Sequence, residues 1–213
     1  TGSPYPFVPG SSVMVDQVTA IRFLLIAGFI GASAVARFYV RRARTGEELN
    51  RGAEGWPIFL GLRLAVFAVF AGVIVWIFEP NWMNWSLLPI PIWARWLGIA
   101  LGGLSTLLKV WTFNTLGGNY STTVETRQDH HLITNGPYRS MRHPMYSSFA
   151  LDLIAVTLIT SNLYILLTSV IAFLLLVPRT ITEDRNLQEK FGEQYDSYRK
   201  TTGQFLPKWR TAL

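Results

Sequence analysis

The chain has 213 residues, of which 50% are hydrophobic and only 15% charged, with 19 Lys and Arg against 13 Asp and Glu for a net charge of +6. Soluble domains usually carry about 25% charged residues, so the composition points to a membrane protein. There is no cysteine, which excludes disulfides, thiolate metal ligands and a cysteine nucleophile and leaves the redox compartment open.

Residues 1–13 (TGSPYPFVPGSSV) are uncharged, rich in Gly, Ser and Pro, and precede Met14, which has the character of a natural start. They are expected to be an appended segment and are set aside from the fold; they have no basic region and cleavage site of a signal peptide. The first apolar run extends from about Val18 to Val40, the second from about Trp56 to Phe78, and the third from about Ile90 to Phe113. Each is near the roughly 20 residues that cross a bilayer core as a helix. Gly98, Gly102 and Gly103 in the third run would permit a close helix contact. A polar loop, Thr115 to His143, leads to an apolar stretch from Pro144 to Val177 that is broken at Ser161-Asn162. The stretch predicts a tight hairpin of two short spans, roughly 16–17 residues each, with Pro144 in the first turn of its helix, where a missing N–H costs nothing.

The expected fold is therefore all-α: an integral membrane bundle of about five transmembrane helices, including a C-terminal hairpin. After it, Leu187, Phe191, Tyr195 and Tyr198 recur at helical spacing between charges. This predicts an amphipathic helix beside the membrane, with a break at Gly192. Charge placement supports the count. Arg41, Arg42, Arg44 and Arg51 follow the first helix, Arg127, Arg139 and Arg142 follow the third, and the tail is basic, whereas the loop EPNWMNWSLLPIP and the Ser161-Asn162 turn hold no Lys or Arg. The positive-inside rule then puts the N-terminus outside and the C-terminus in the cytoplasm. Read this way, the basic character is a topology signal and no nucleic-acid partner is implied. Trp82, Trp85, Trp93 and Trp96 cluster around the outer loop as interface anchors.

Two polar clusters fall on the cytoplasmic side of this topology. One is the segment GPYRSMRHPMY (Gly136 to Tyr146), and the other is RTITEDR (Arg179 to Arg185). Arg179 and Glu183 are spaced i, i+4 on one helix face, compatible with a surface ion pair or with a site. His143 stands at the edge of the fourth helix, where free N–H groups favour an anion, as a cap or a ligand contact. His130 and His131 are adjacent and cannot both serve one compact site easily. With three histidines in all, no metal site is expected. Asp152 lies inside the fourth helix, where a carboxylate is costly; a functional role and a bond to a neighbouring helix's hydroxyl or arginine both stay open. The chain contains no GxGxxG, Walker loop, HExxH or GxSxG pattern, which removes the corresponding soluble enzyme templates.

The segments LGGNYS (Leu116 to Ser121), HHLITNGPYRSMRHPMY (His130 to Tyr146) and RTITEDRNLQEKFGEQYDSYRKTTGQFLP (Arg179 to Pro207), in this order around a hydrophobic hairpin, resemble the isoprenylcysteine carboxyl methyltransferase family. That family is related to the membrane phospholipid N-methyltransferases. The resemblance covers roughly Leu116 to Pro207; the first three helices match only in general character. The apolar runs put three membrane helices in 14–114, and the resemblance implies a cofactor-binding catalytic half in 115–213. It also implies S-adenosylmethionine as cofactor at the cytoplasmic face and a lipophilic acceptor, such as a prenylated cysteine carboxylate, arriving from the bilayer. By position, His131, Leu132, Gly136, Tyr138, His143, Pro144 and Tyr146 would line the cofactor pocket, completed by Glu183, and Arg179 with Glu183 would position the reacting group. The family often has glycine after the RHPxY segment where this chain has Ser147-Ser148. A phospholipid or other small lipophile is an alternative acceptor. An NADPH-dependent membrane reductase and a non-catalytic membrane protein are the competing classes.

Overall fold

The computed structural model describes residues 11–42, 56–117 and 132–208. Six helices organise them: α1 (Ser11–Arg42), α2 (Trp56–Phe78), α3 (Ile92–Leu116), α4 (Pro144–Thr160), α5 (Leu163–Phe191) and α6 (Glu193–Thr201). Short 3-10 turns span Pro80–Ser86 and Gly136–Arg139. Among the described residues, four helices (α1, α2, α3 and α5) are long and apolar enough to cross a membrane, and α4 is a shorter apolar helix of 17 residues. Large apolar side chains such as Phe67, Leu107 and Leu174 stand on the outside of the bundle. Such a surface suits lipid and would be an aggregation liability in water. The protein is an all-α integral membrane bundle.

The packing follows small residues. α3 lies most closely on α4, α2 on α5, and α1 on α3. Gly98 makes the first of these contacts possible: a Cβ there would sit 2.8 Å from the Ala155 carbonyl oxygen and 2.9 Å from Ile159 Cγ1. Gly102 has only an ordinary contact with Ala155 and Gly103 faces open space, so one of the three glycines holds the helices together.

The hairpin turn is also a tie to the rest of the fold. Ser161 adopts the left-handed conformation that closes α4, and the Asn162 side chain accepts a hydrogen bond from the Ile165 N–H (3.2 Å), capping α5. The same Asn162 amide donates to Ser86 Oγ (2.7 Å) in the α2–α3 loop, and the Leu88 N–H donates to the Ser161 carbonyl (2.8 Å). Asn162 is fully buried. Asn162→Ala should destabilise the protein by about 2–3 kcal/mol through loss of the cap and of a buried bond; thermal unfolding in detergent measures it.

The second arm departs from expectation. α4 has the predicted length, but α5 runs for 29 residues without interruption, through Pro178, into the charged segment. The amphipathic part expected as a separate helix is thus the continuation of a membrane arm as far as Gly192. There a positive φ of 51° ends α5, with the Gly192 N–H donating to the Gln188 carbonyl (2.9 Å). Arg179 and Glu183 therefore ride on the same rod that crosses the bundle.

Asp152 finds its partner in Lys109 of α3, an ion pair within the α3–α4 contact. The cation is a lysine rather than an arginine or hydroxyl, and the pair lies one turn along both helices from Ser105 and Ser148, where Ser105 Oγ donates to the Ser148 carbonyl (2.7 Å). Removing one charge leaves the other stranded among apolar helices. Lys109→Met or Asp152→Leu alone should cost about 3 kcal/mol, and the double variant should recover most of it; a double-mutant cycle of unfolding midpoints checks this.

Candidate active site

The site forms where the loop before α4 meets the far half of α5. Pro144 is the first residue of α4 and is buried, so its fixed φ and missing N–H set the start of the helix. His143, immediately before it, is 2% exposed and makes no side-chain cap. Its ring instead crosses to α5: His143 Nε2 lies 2.8 Å from Asp184 Oδ1, and Nδ1 lies 3.9 Å from Glu183 Oε2. An ionised carboxylate only accepts, so Nε2 carries the proton of this hydrogen bond. The Nδ1–Glu183 separation is too long for a hydrogen bond. One turn along α4, the Tyr146 hydroxyl donates to Glu183 Oε2 (2.8 Å), and its ring stands edge-on to His143 at 5.4 Å.

Neighbouring carboxylates on α5 have different roles. Asp184 is enclosed, with its side chain 17% exposed. It accepts from His143, from the Tyr195 hydroxyl of α6, and sits 3.7 Å from the Arg142 guanidinium. Glu183, 31% exposed, has Tyr146 as its hydrogen-bond donor and keeps an accessible edge. Asp184 holds the elements together; Glu183 is the carboxylate open to a ligand. Burial, reinforced by the Asp184 carboxylate, pushes the Tyr195 hydroxyl well above its usual range. Burial does the same for Tyr198, against the opposing pull of Arg142. Both phenols remain donors at any physiological pH.

A return of the chain closes the loop from outside. Residues after α6 run back along the segment before α4: the Arg142 N–H donates to the Gly203 carbonyl (2.8 Å), the His143 N–H to Gln204 (3.0 Å) and the Gly203 N–H to Ser140 (3.0 Å). Arg142 also donates from its side chain to the Thr202 carbonyl (3.0 Å), and the Tyr198 hydroxyl donates to the Tyr138 carbonyl (2.7 Å). Ser147 belongs to the same seam, donating to the Phe205 carbonyl (2.5 Å). That bond gives the serine a local structural purpose at the position after RHPMY.

Of the residues singled out from sequence, the structure brings His143, Tyr146 and Glu183 together, with Pro144 beside them. Arg179 is half-buried one turn before Glu183 on α5. Gly136 faces the end of α3: at a φ of 56°, a Cβ there would lie 2.4 Å from Thr115 Oγ1. Tyr138 and Leu132 are half-buried on the same loop. His131 lies outside the described residues. Sequence reasoning missed Arg142, Asp184, Tyr195 and Tyr198 as the framework of the site. The signal for two of them was present, in the Arg-His-Pro triplet and the Glu-Asp pair. Among the described residues no group of three or more His, Cys, Asp or Glu side chains could hold a metal ion.

Residues 96–189 match the isoprenylcysteine carboxyl methyltransferase (ICMT) family. Among curated proteins, the chain is 26% identical over 169 residues to the uncharacterized protein YpbQ of Bacillus subtilis, covering 78% of this chain and 94% of YpbQ. It is 27% identical over 133 residues to the protein-S-isoprenylcysteine O-methyltransferase of Dictyostelium discoideum, covering 59% of this chain and 55% of that enzyme. The match thus spans about half the length of the enzyme. Among solved structures, the fold is similar to that of the eukaryotic intramembrane Ras methyltransferase ICMT, with a TM-score of 0.56 at 23% identity over 85% of this chain and 67% of that one. Over the matched segment, which runs from α3 through the hairpin to the His143–Glu183 site, the chain is similar to the isoprenylcysteine carboxyl methyltransferase family.

Proposed function

We propose that the protein is an S-adenosylmethionine-dependent methyltransferase acting on a lipophilic acceptor that arrives through the bilayer. The observation behind this reading is the open edge of Glu183 beside the rings of His143 and Tyr146, built from the two segments of the family resemblance. The donor set suits the cofactor: a carboxylate can accept from its hydroxyl or ammonium groups, and aromatic faces favour a cation. When bound, S-adenosylmethionine supplies an electrophilic methyl group on a sulfonium whose positive charge is lost on transfer. Glu183 would hold the cofactor in place, fixed in its rotamer by the Tyr146 hydroxyl. His143, locked by Asp184, would form a wall of the pocket with Tyr146 and limit water.

Arg179, one helical turn before Glu183, would orient the acceptor. A carboxylate acceptor is already nucleophilic and needs only a cation to align it, and alignment can supply about 7–11 kcal/mol of the barrier reduction in favourable cases. A prenylated cysteine carboxylate meets that description; an amine or thiol would also need a base, for which Glu183 is the nearest open group. The site shares its end of the bundle with Arg41 and Arg42, since Tyr39 of α1 stacks on Phe113 of α3 and Gly136 abuts Thr115. By the positive-inside rule this end faces the cytoplasm. Incubating the protein with tritiated-methyl S-adenosylmethionine and farnesylcysteine analogues or phospholipids should move label into the organic phase. A purified, folded protein that labels none of these acceptors would count against the reading.

A further inference from the structure

A second polar centre lies at the opposite end of the bundle. Arg95 is in the opening turn of α3, 7% exposed, and its Nη1 finds no hydrogen-bond partner among the described residues. Arg22 of α1 has a buried Nε in the same condition, with its guanidinium 5.3 Å from the centre of the buried Trp76 ring.

Helix geometry puts the two arginines at one level. Near their ends, Tyr39 of α1 stacks on Phe113 of α3 at 4.8 Å and donates to Asn114. Five turns back along each helix, at about 3.6 residues per turn, the same facing stripes carry Ile21 and Arg95. Ile21 is fully buried in one cluster with Trp76 and Met83, against which Ile92 and Ile99 pack. α1 and α3 therefore run side by side, with Arg95 at the level of Ile21 and Arg22. Among the described residues no carboxylate is ion-paired with either arginine; Asp16 and Glu79, the acids nearest in sequence, are exposed.

An unpaired buried guanidinium is costly. Here the cost is increased by the start of α3, whose free N–H groups are also positive and whose preceding Pro91 provides no side-chain cap. Both features call for an anion. We propose that Arg95, with Arg22 and the N-terminus of α3, forms a binding site for one phosphate group, supplied by an anionic lipid headgroup or as a free ion. The exposed Trp93 and Trp96 beside it, on the same turns of α3, suit the depth of a headgroup. The site is about 30 Å along α3 from the methyl-transfer centre, and it stands independently of the function proposed there.

The test compares the purified full chain with its Arg95→Gln and Arg22→Gln variants in neutral detergent. Each receives phosphatidylglycerol, phosphatidylcholine or inorganic phosphate, with melting temperature and retained lipid in native mass spectrometry as readouts. The expected result is stabilisation and retention with phosphatidylglycerol over phosphatidylcholine, weakened about tenfold in apparent affinity in the Arg95 variant. A response to phosphatidylglycerol alone identifies a headgroup, and an added response to inorganic phosphate identifies a free ion; both support the site. Indifference of the wild type to both anions overturns it. So does an unchanged preference in Arg95→Gln, or in Arg22→Gln if the first variant does not fold.

Discussion

Asp184→Ala is expected to be the most damaging single change in the framework of the site. The side chain removed is the shared acceptor of His143 and Tyr195 and lies beside Arg142. These donors come from the loop before α4 and from α6, while Asp184 is on α5. The three elements would lose their common point, and a buried guanidinium would lose its counter-charge. Breaking a buried pair by deleting one partner costs about 3–5 kcal/mol. Asn, which keeps the shape and one acceptor, should recover part of it. Unfolding midpoints in detergent give the stability, and the seam between 140–143 and 203–208 should gain hydrogen exchange in the alanine variant.

Glu183→Ala is expected to behave differently. Among the described residues its carboxylate has one hydrogen-bond donor, Tyr146, and its side chain is 31% exposed. Stability should fall by no more than about 1 kcal/mol, the usual net value of a single hydrogen bond. Ligand binding should suffer far more, because a charge-assisted hydrogen bond to a bound group is worth about 1.5–3 kcal/mol, or roughly 10- to 150-fold in affinity. Tyr146→Phe should show a weaker version of the same effect, since it frees the Glu183 rotamer without removing the charge. The pair of alanine variants thus separates two adjacent residues: Asp184 acts on folding and Glu183 on binding. If Glu183→Ala unfolded the protein as severely as Asp184→Ala, this division of labour would be wrong.

Much of this arrangement was legible in the sequence, and the parts that were not share one cause. The proline opening α4, the Ser161-Asn162 turn and the break at Gly192 are local signals, and each corresponds to an element boundary, whereas the apolar runs read from Val18 and up to Val177 fall short of the start of α1 and the end of α5. The resemblance motifs brought the two halves of the site into view. What escaped depends on contacts between distant segments. Adjacent Glu183 and Asp184 look equivalent until the rotation of α5 points one at Arg142 and Tyr195. Asp152 has no visible partner until α3 lies against α4 and presents Lys109. The return of residues 203–208 onto 140–143 has no periodic pattern to announce it. The continuity of α5 was hidden by composition, because the shift from apolar to charged residues at Pro178 resembles a helix boundary while the backbone runs straight through it.

The central claim is that the centre built from His143, Tyr146 and Glu183 binds S-adenosylmethionine. Isothermal titration of the purified full chain with S-adenosylhomocysteine, and separately with NADPH, tests it most directly. The expected result is saturable binding of S-adenosylhomocysteine, weakened at least about tenfold by Glu183→Ala, and no heat with NADPH. Binding of NADPH alone, or S-adenosylhomocysteine binding that Glu183→Ala leaves unchanged, would contradict it.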